Sequence, residues 1–305
     1  MTKKKNNGIR IKKEASSGSG KNNNNIVSFP KRKSTNEIRR YREEQSKDER
    51  RREREERIAE NKEKIKRKRI RRRIIKKLIT LFLIIFVIAG SAGFLYVRSI
   101  ISDMPVLTKK MVYDNYINKN PVPLSKIPKS LREAVISIED QRFYKHGGID
   151  YRSIIRSFVN NITGGNLQGG STIDMQLSKN LFTGNQRTIK RKIQDMYNAI
   201  MLNRIMTKDE ILTAYLNNIY FGRDAYGVNA GAHLYFGKDV SKLTFGQATM
   251  LAGITNNPEL YQNYEAAKKR QGIILYKMYK LGYIKKNVYE AQLYRDTPFK
   301  SEIDK

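Results

Sequence analysis

Leu78 to Val97 runs for twenty residues without a charge, and no other stretch constrains the chain so strongly. A helix of that length spans the roughly 30 Å hydrocarbon core of a bilayer. A core helix of a soluble domain would show a polar face, and none interrupts this run. A cleavable leader would not follow so long a basic region. Arg71, Arg72, Arg73, Lys76 and Lys77 crowd one flank, and Arg98 alone closes the other. That asymmetry puts the N-terminus in the cytoplasm and residues after 98 outside. Three parts are expected: a basic cytoplasmic tail over 1–77, largely disordered; a transmembrane helix over 78–97; and an extracytoplasmic domain over 98–305.

Net charge matters here for the tail. Residues 1–77 carry 30 Lys/Arg against 11 Asp/Glu, more than half of the net +32. The Ser-Gly tract and Asn22–Asn25 lack the apolar residues of a core, which predicts disorder. From about Thr35 to Lys77 charges mix with helix formers, a pattern that suits a solvated helix. Gly18-Ser19-Gly20-Lys21 lacks the glycine spacing and the following Ser/Thr of a phosphate loop. A tail this basic could bind nucleic acid, but it lies beside an anionic inner leaflet that attracts each nearby basic residue by about 1 kcal/mol. Membrane lipids are the expected partner, and no nucleic-acid motif is present. The absence of Cys excludes disulfides, thiolate metal sites and Cys nucleophiles.

Beyond Ile101 the pattern is mostly helical. Leu131, Ala134, Val135 and Ile138 share one helix face, and Ser130 with Glu133 reads as a capping box. Glu139 then stands at the helix C-terminus, where the dipole disfavours a second negative charge, the setting of a general base or acid. Tyr151, Ile154, Ile155, Phe158, Val159 and Ile162 make an apolar face with Arg152 and Arg156 beside it, suited to a membrane surface or to ordinary core packing. The glycine-rich stretch 163–170 feeds a helix expected to be capped by Ser171, and such a loop can hold a phosphate through backbone N–H groups. Ile189, Ile193, Met196 and Ile200 read as a buried stripe. Arg187, Arg191 and Asp195 follow at i, i+4 steps, either a surface salt-bridge ladder or a basic wall holding one carboxylate. Thr207 to Glu210 is another capping box, Gly246 to Ile254 a buried small-residue helix, and Arg270 opens the last clear helix.

Five segments in this order resemble the signature set of the peptidoglycan glycosyltransferases, glycosyltransferase family 51, found alone or at the front of class A penicillin-binding proteins. Glu139 to Gly148 matches E-D-x-x-F-x-x-H-x-G. Gly169 to Asn180 matches G-x-S-T-x-x-x-Q-x-x-K-N, and Lys208 to Asn217 matches K-x-E-I-L-x-x-Y-L-N. Arg191 to Asp195 follows R-K-x-x-E with aspartate for the glutamate, and Arg270 to Leu275 matches a loose fifth motif. Met175 and Thr213 also depart from the usual residues. No Ser-x-x-Lys follows the apolar run and the chain stops at Lys305, so the resemblance implies a monofunctional enzyme.

The fold it implies is mainly α: a lysozyme-like glycosyltransferase domain with a smaller membrane-proximal jaw subdomain, preceded by one transmembrane helix. The implied reaction polymerises lipid II into glycan strands at the outer face of the cell membrane, with inversion and release of undecaprenyl pyrophosphate. Glu139 and Asp195 are the implied catalytic carboxylates. Glu139 takes the proton from the acceptor hydroxyl, and Asp195 orients a cation. Arg156, Ser171, Gln176, Lys179, Arg187, Arg191 and Arg270 are the implied substrate-binding residues. A divalent cation, Mg or Mn, is implied without ligands that spacing can name, and no organic cofactor. Partners would be lipid II, the nascent strand, membrane lipids and other cell-wall synthesis proteins, in a bacterium of Gram-positive type. Two alternatives stay open: a lysozyme-like glycan-cleaving enzyme, which would not need the cationic wall, and an impaired scaffold, which the shortened carboxylate at 195 allows.

Overall fold

A computed structural model describes residues 34–164 and 169–300. The disorder expected of the extreme N-terminus, and the phosphate-holding part of the glycine-rich stretch at 165–168, lie outside the described residues. The chain divides into two compact units, residues 1–84 and 85–305. Helix α1, Thr35–Ser102, carries the described part of the first unit and the start of the second. Up to Lys77 it is polar on all sides, with i, i+4 pairs such as Arg39–Glu43, Arg51–Glu55, Glu60–Lys64 and Glu63–Arg67 along it. Solvent satisfies such a helix on every face, and these pairs add local support. The apolar run follows within the same helix, and its large side chains from Leu78 to Tyr96 are exposed. Among the described residues this is the one helix long and apolar enough to cross a membrane.

The second unit is a stack of helices with no strand among its described residues. In chain order come α2 (Lys109–Asp114), α3 (Lys129–Glu139), α4 (Tyr151–Ile162), α5 (Ile173–Ser178), α6 (Ile189–Ile205) and α7 (Lys208–Asn218). Then follow α8 (Val228–Phe236), α9 (Phe245–Ile254), α10 (Tyr264–Lys280) and α11 (Lys286–Tyr294). The mainly α fold expected from the sequence is what forms. Helix α9 lies at its centre, buried from Gly246 to Ile254 except at Gln247, with α3, α8 and α10 packed on it. Gly253 permits the close approach of α10, because a Cβ there would stand 2.9 Å from Arg270 Cγ. Helix α5 is sandwiched between α6 and α7. Thr207 caps α7 through the full capping box, as its sequence predicts.

Several local expectations change. Helix α3 begins after Pro128, and Ser130 lies inside its first turn, so no capping box forms there. Proline supplies a fixed φ at a position whose N–H would go unused. Helix α5 is capped by Thr172, which leaves Ser171 free for another partner. Helix α6 starts after Thr188, so Arg187 precedes it and the three-residue ladder reduces to Arg191 and Asp195. Its buried face is Asp195, Asn198, Ala199 and Leu202, whereas Ile189 is 75% exposed. Helix α10 starts at Tyr264, placing Arg270 inside it, and α11 occupies the tyrosine-rich segment. Helix α4 settles its two readings. Ser157 is its one buried residue, and Tyr151, Ile155, Phe158, Val159 and Ile162 are all exposed, so its apolar face does not enter the core.

Candidate active site

Glu139 is the last residue of α3, half-buried, and its Oε2 accepts a hydrogen bond from Gln176 Nε2 at 2.8 Å. The amide oxygen of Gln176 accepts in turn from the Tyr215 hydroxyl at 2.9 Å. Three helices thus converge on one carboxylate. Gln176 and Tyr215, with Lys179, Asn180, Asn218 and Asn256, line a cleft of about 550 Å³. Its walls offer amides, hydroxyls and one cation, groups that suit a hydroxyl-rich ligand.

The other members of the Glu139–Gly148 motif build the floor beneath that carboxylate. Asp140 is buried, and its Oδ2 lies 2.9 Å from His146 Nε2 and accepts from the Ile173 N–H at 3.1 Å. The Gly148 N–H donates to His146 Nδ1 at 3.2 Å, so the ring hydrogen sits on Nε2 and is donated to Asp140. Gly148 has φ +101°, and a Cβ there would collide with the Ala199 carbonyl at 2.3 Å, so only glycine lets this turn rest on α6. Its carbonyl accepts from Thr172 at 2.7 Å, tying the turn to the start of α5. Phe143 is fully buried with Lys208 Nζ 4.4 Å from its ring centre, and Lys208 pairs with Asp174 at 3.1 Å. Burial pushes the Asp174 carboxyl up, and Lys208 and Asn203 oppose that shift.

Asp140, His146 and Asp174 offer ligand atoms within 4.8 Å of one another. Their chemistry does not fit a divalent cation. Both ring nitrogens of His146 are engaged, Asp140 Oδ2 already accepts two hydrogen bonds, and the Lys208 ammonium supplies the positive charge against Asp174. A metal there would have to displace its own competitor.

Asp195 is 2% exposed. Its Oδ1 accepts from the Thr183 hydroxyl at 2.5 Å and from the Ser178 hydroxyl at 3.3 Å, while Oδ2 stands 3.8 Å from Arg191 Nε. Ser178 ends α5, and Thr183 ends the π-helical turn Lys179–Thr183 that follows it. The aspartate is therefore turned inward as an anchor between α5 and α6, and it faces Arg191. Neighbouring Lys192 donates to Ser171 Oγ at 2.7 Å. Burial holds its amine below the usual range; Asp195 opposes the shift, and the cations Arg191 and Lys179 add to it. Arg191 and Lys192 thus stand beside Asp195, and Lys179 is near enough to Lys192 for its charge to be felt there.

A second group surrounds Glu139. Lys277, on α10, is half-buried and its amine is held low by burial, then by Arg270, with Glu139 opposing and Arg156 contributing. Arg270 lies two turns before it on the same helix, and Arg156 is exposed on α4, where it donates to Ser153 at 3.2 Å. The structure therefore brings Glu139, Arg156, Gln176 and Arg270 into one neighbourhood, and Ser171, Lys179, Arg191 and Asp195 into an adjoining one. Arg187 is exposed before α6 and, among the described residues, makes no hydrogen bond or ion pair with either group. Lys277, Lys192 and Tyr215 are the residues that sequence reasoning passed over as site residues. Lys277 sits seven residues after Arg270, a spacing that keeps one helix face, and that was the available signal.

Residues 106–279 match the Transglycosylase family. A putative transglycosylase of Cupriavidus necator is 41% identical over 177 residues, which cover 56% of this chain and 76% of that protein. Penicillin-binding protein 1F of Bacillus subtilis is 43% identical over 171 residues, covering 55% of this chain and 24% of the relative. Penicillin-binding protein 1A of Clostridium botulinum is 35% identical over 260 residues, covering 75% and 31%. The chain thus spans less than a third of the length of either penicillin-binding protein.

Proposed function

The chain belongs to the transglycosylase family, and on that premise we propose that it is a peptidoglycan glycosyltransferase, polymerising lipid II at a membrane surface. The observation that carries the reading is Glu139: a carboxylate at a helix end, held by an amide that lines the cleft, and near Lys277, whose amine also feels Arg270 and Arg156. Glu139 removes the proton from the acceptor sugar's 4-hydroxyl as that oxygen attacks the anomeric carbon of the growing strand. The new glycosidic bond forms with inversion while the bond to the lipid pyrophosphate breaks. What the protein supplies to the departing pyrophosphate is positive charge. Arg156, Arg270 and Lys277 on one side, and Lys179, Arg191 and Lys192 on the other, provide it. Asp195 orients Arg191 and Lys192. Both hydroxyls bond Oδ1 and leave Oδ2 turned towards Arg191, so the shorter side chain still faces a cation, which weakens the impaired-scaffold alternative. The abundance of cations weakens the glycan-cleaving one.

A divalent cation of the kind the resemblance implies finds no fitting donor set at Asp140, His146 and Asp174, and no step here depends on one. The apolar run of α1 serves as a single-pass anchor, with the basic flank cytoplasmic and the catalytic domain outside. The exposed apolar face of α4, with Arg152 and Arg156 beside it, suits the interface where a lipid-linked substrate is presented. Incubating the purified protein with labelled lipid II tests the proposal. Polymer is expected from the wild type, and its absence under conditions that support a known relative would overturn it.

A further inference from the structure

The chain of hydrogen bonds that reaches Glu139 ends in a residue that the proposed chemistry does not use. Tyr215 is 1% exposed and donates to Gln176 Oε1, and Gln176 Nε2 donates to Glu139 Oε2. A primary amide has an accepting end and a donating end, so what meets one end decides which end meets the carboxylate. Burial, then the carboxylates of Glu139 and Asp140, hold the Tyr215 phenol well above its ordinary value, so it stays an O–H donor. A donor there draws the amide oxygen towards Tyr215 and leaves the NH₂ facing Glu139. An NH₂ group can only donate, and so it favours the ionised, proton-accepting form of its partner.

We propose that Tyr215 is a positioning residue for proton transfer: by locking the Gln176 amide, it keeps a hydrogen-bond donor on Glu139, the arrangement that favours the proton-accepting form of a carboxylate. This rests on the reading of Glu139 as the base. The charged groups on the elements around Glu139 are Asp140 beside it, Lys277 and Arg270 on α10, Arg156 on α4 and Lys179 beyond Gln176. All of them are retained in the variants that follow.

The test measures polymerisation of labelled lipid II by the full chain across pH, for wild type, Tyr215→Phe, Gln176→Ala, the double variant and Glu139→Gln. Tyr215→Phe is expected to lower kcat about tenfold with little change in KM, as for one lost hydrogen bond in a buried network. The acid limb of its rate profile should move up by about one pH unit, because the ionised carboxylate loses its assured donor. Gln176→Ala should move the limb in the same direction, and the double variant should be no worse than Gln176→Ala alone. Wild-type kcat and acid limb in Tyr215→Phe, or losses that add in the double variant, overturn the proposal. Should Tyr215→Phe fail to fold, an unchanged acid limb in Gln176→Ala overturns it and a raised one supports it. Full activity in Glu139→Gln sinks the reading of the base itself. An inactive Glu139→Gln beside an unaffected Tyr215→Phe sinks the relay alone.

Discussion

Glu139 and Asp195 are both carboxylates in motifs of the same family, yet their surroundings are opposite. Glu139 ends a helix, half-buried, with one hydrogen bond, from the Gln176 amide that lines the cleft. Asp195 lies within a helix, 2% exposed, gripped by two hydroxyls and facing an arginine. The first has an oxygen to spare for a substrate proton. The second spends one oxygen, Oδ1, on the hydroxyls of Ser178 and Thr183, and turns the other towards Arg191. Residue type sets what chemistry is available, and the neighbours decide whether it is spent on a reaction or on holding two helices together.

Four substitutions or truncations probe that contrast. The largest effect is expected from Glu139→Gln, which keeps shape and hydrogen bonding but cannot accept a proton. Turnover of lipid II should fall on the order of 10²-fold or more, with the melting temperature nearly unchanged. Polymer yield close to wild type would make the two carboxylates equivalent and the contrast empty.

Asp195→Asn should be milder in turnover, about tenfold, and should also lower stability by roughly 1–2 kcal/mol, because a buried acceptor of two hydroxyls is half replaced by a donor. A melting curve and a rate measured on the same preparation check both. Loss of rate with no loss of stability would instead put Asp195 in contact with substrate. Asp195→Glu restores the family residue but adds a methylene where Thr183 is already at 2.5 Å. It should cost about 1 kcal/mol in melting experiments through overpacking. A gain in stability would show that the turn after α5 relaxes readily to meet the longer side chain.

The smallest effect is expected from removing residues 1–70, which spares the apolar run and its nearest basic flank. In detergent the truncated protein should polymerise lipid II at the wild-type rate, since the tail lies across the membrane from both carboxylates in the proposed topology. A marked fall in turnover would mean that the tail or its sidedness has been misread.

Much of the site was legible before the fold was known. The five motifs place Glu139, Gln176, Lys179, Asp195 and Arg270 by order and spacing, and α7 and α9 form as their capping box and small-residue pattern predict. The buried face of α6 differs from the one its apolar periodicity predicts. Ile189, Ile193 and Met196 have the periodicity of a core stripe, but Ile189 is exposed while Asp195 is buried. Apolar periodicity assumes that charge faces water, and a carboxylate can go inside when another helix supplies Ser178 and Thr183 as donors. Lys277 is harder to read. Its spacing from Arg270 marks a shared helix face, but its link to Glu139 crosses 138 residues of chain, and only packing holds its amine below the usual range.

The sequence by itself determined the long apolar run, the helical class, the family and the carboxylate Glu139 at a helix end, because each is written in contiguous spacing. Only the tertiary structure decided that Asp140, Phe143, His146 and Asp174 form a floor with no fitting metal site. It alone turned Asp195 inward, left the apolar face of α4 uncovered, and set Tyr215 behind Gln176. Those outcomes depend on which donors meet which acceptors across separate helices. A buried polar group takes its role from the partner that satisfies it, and that partner is chosen by packing rather than by spacing along the chain.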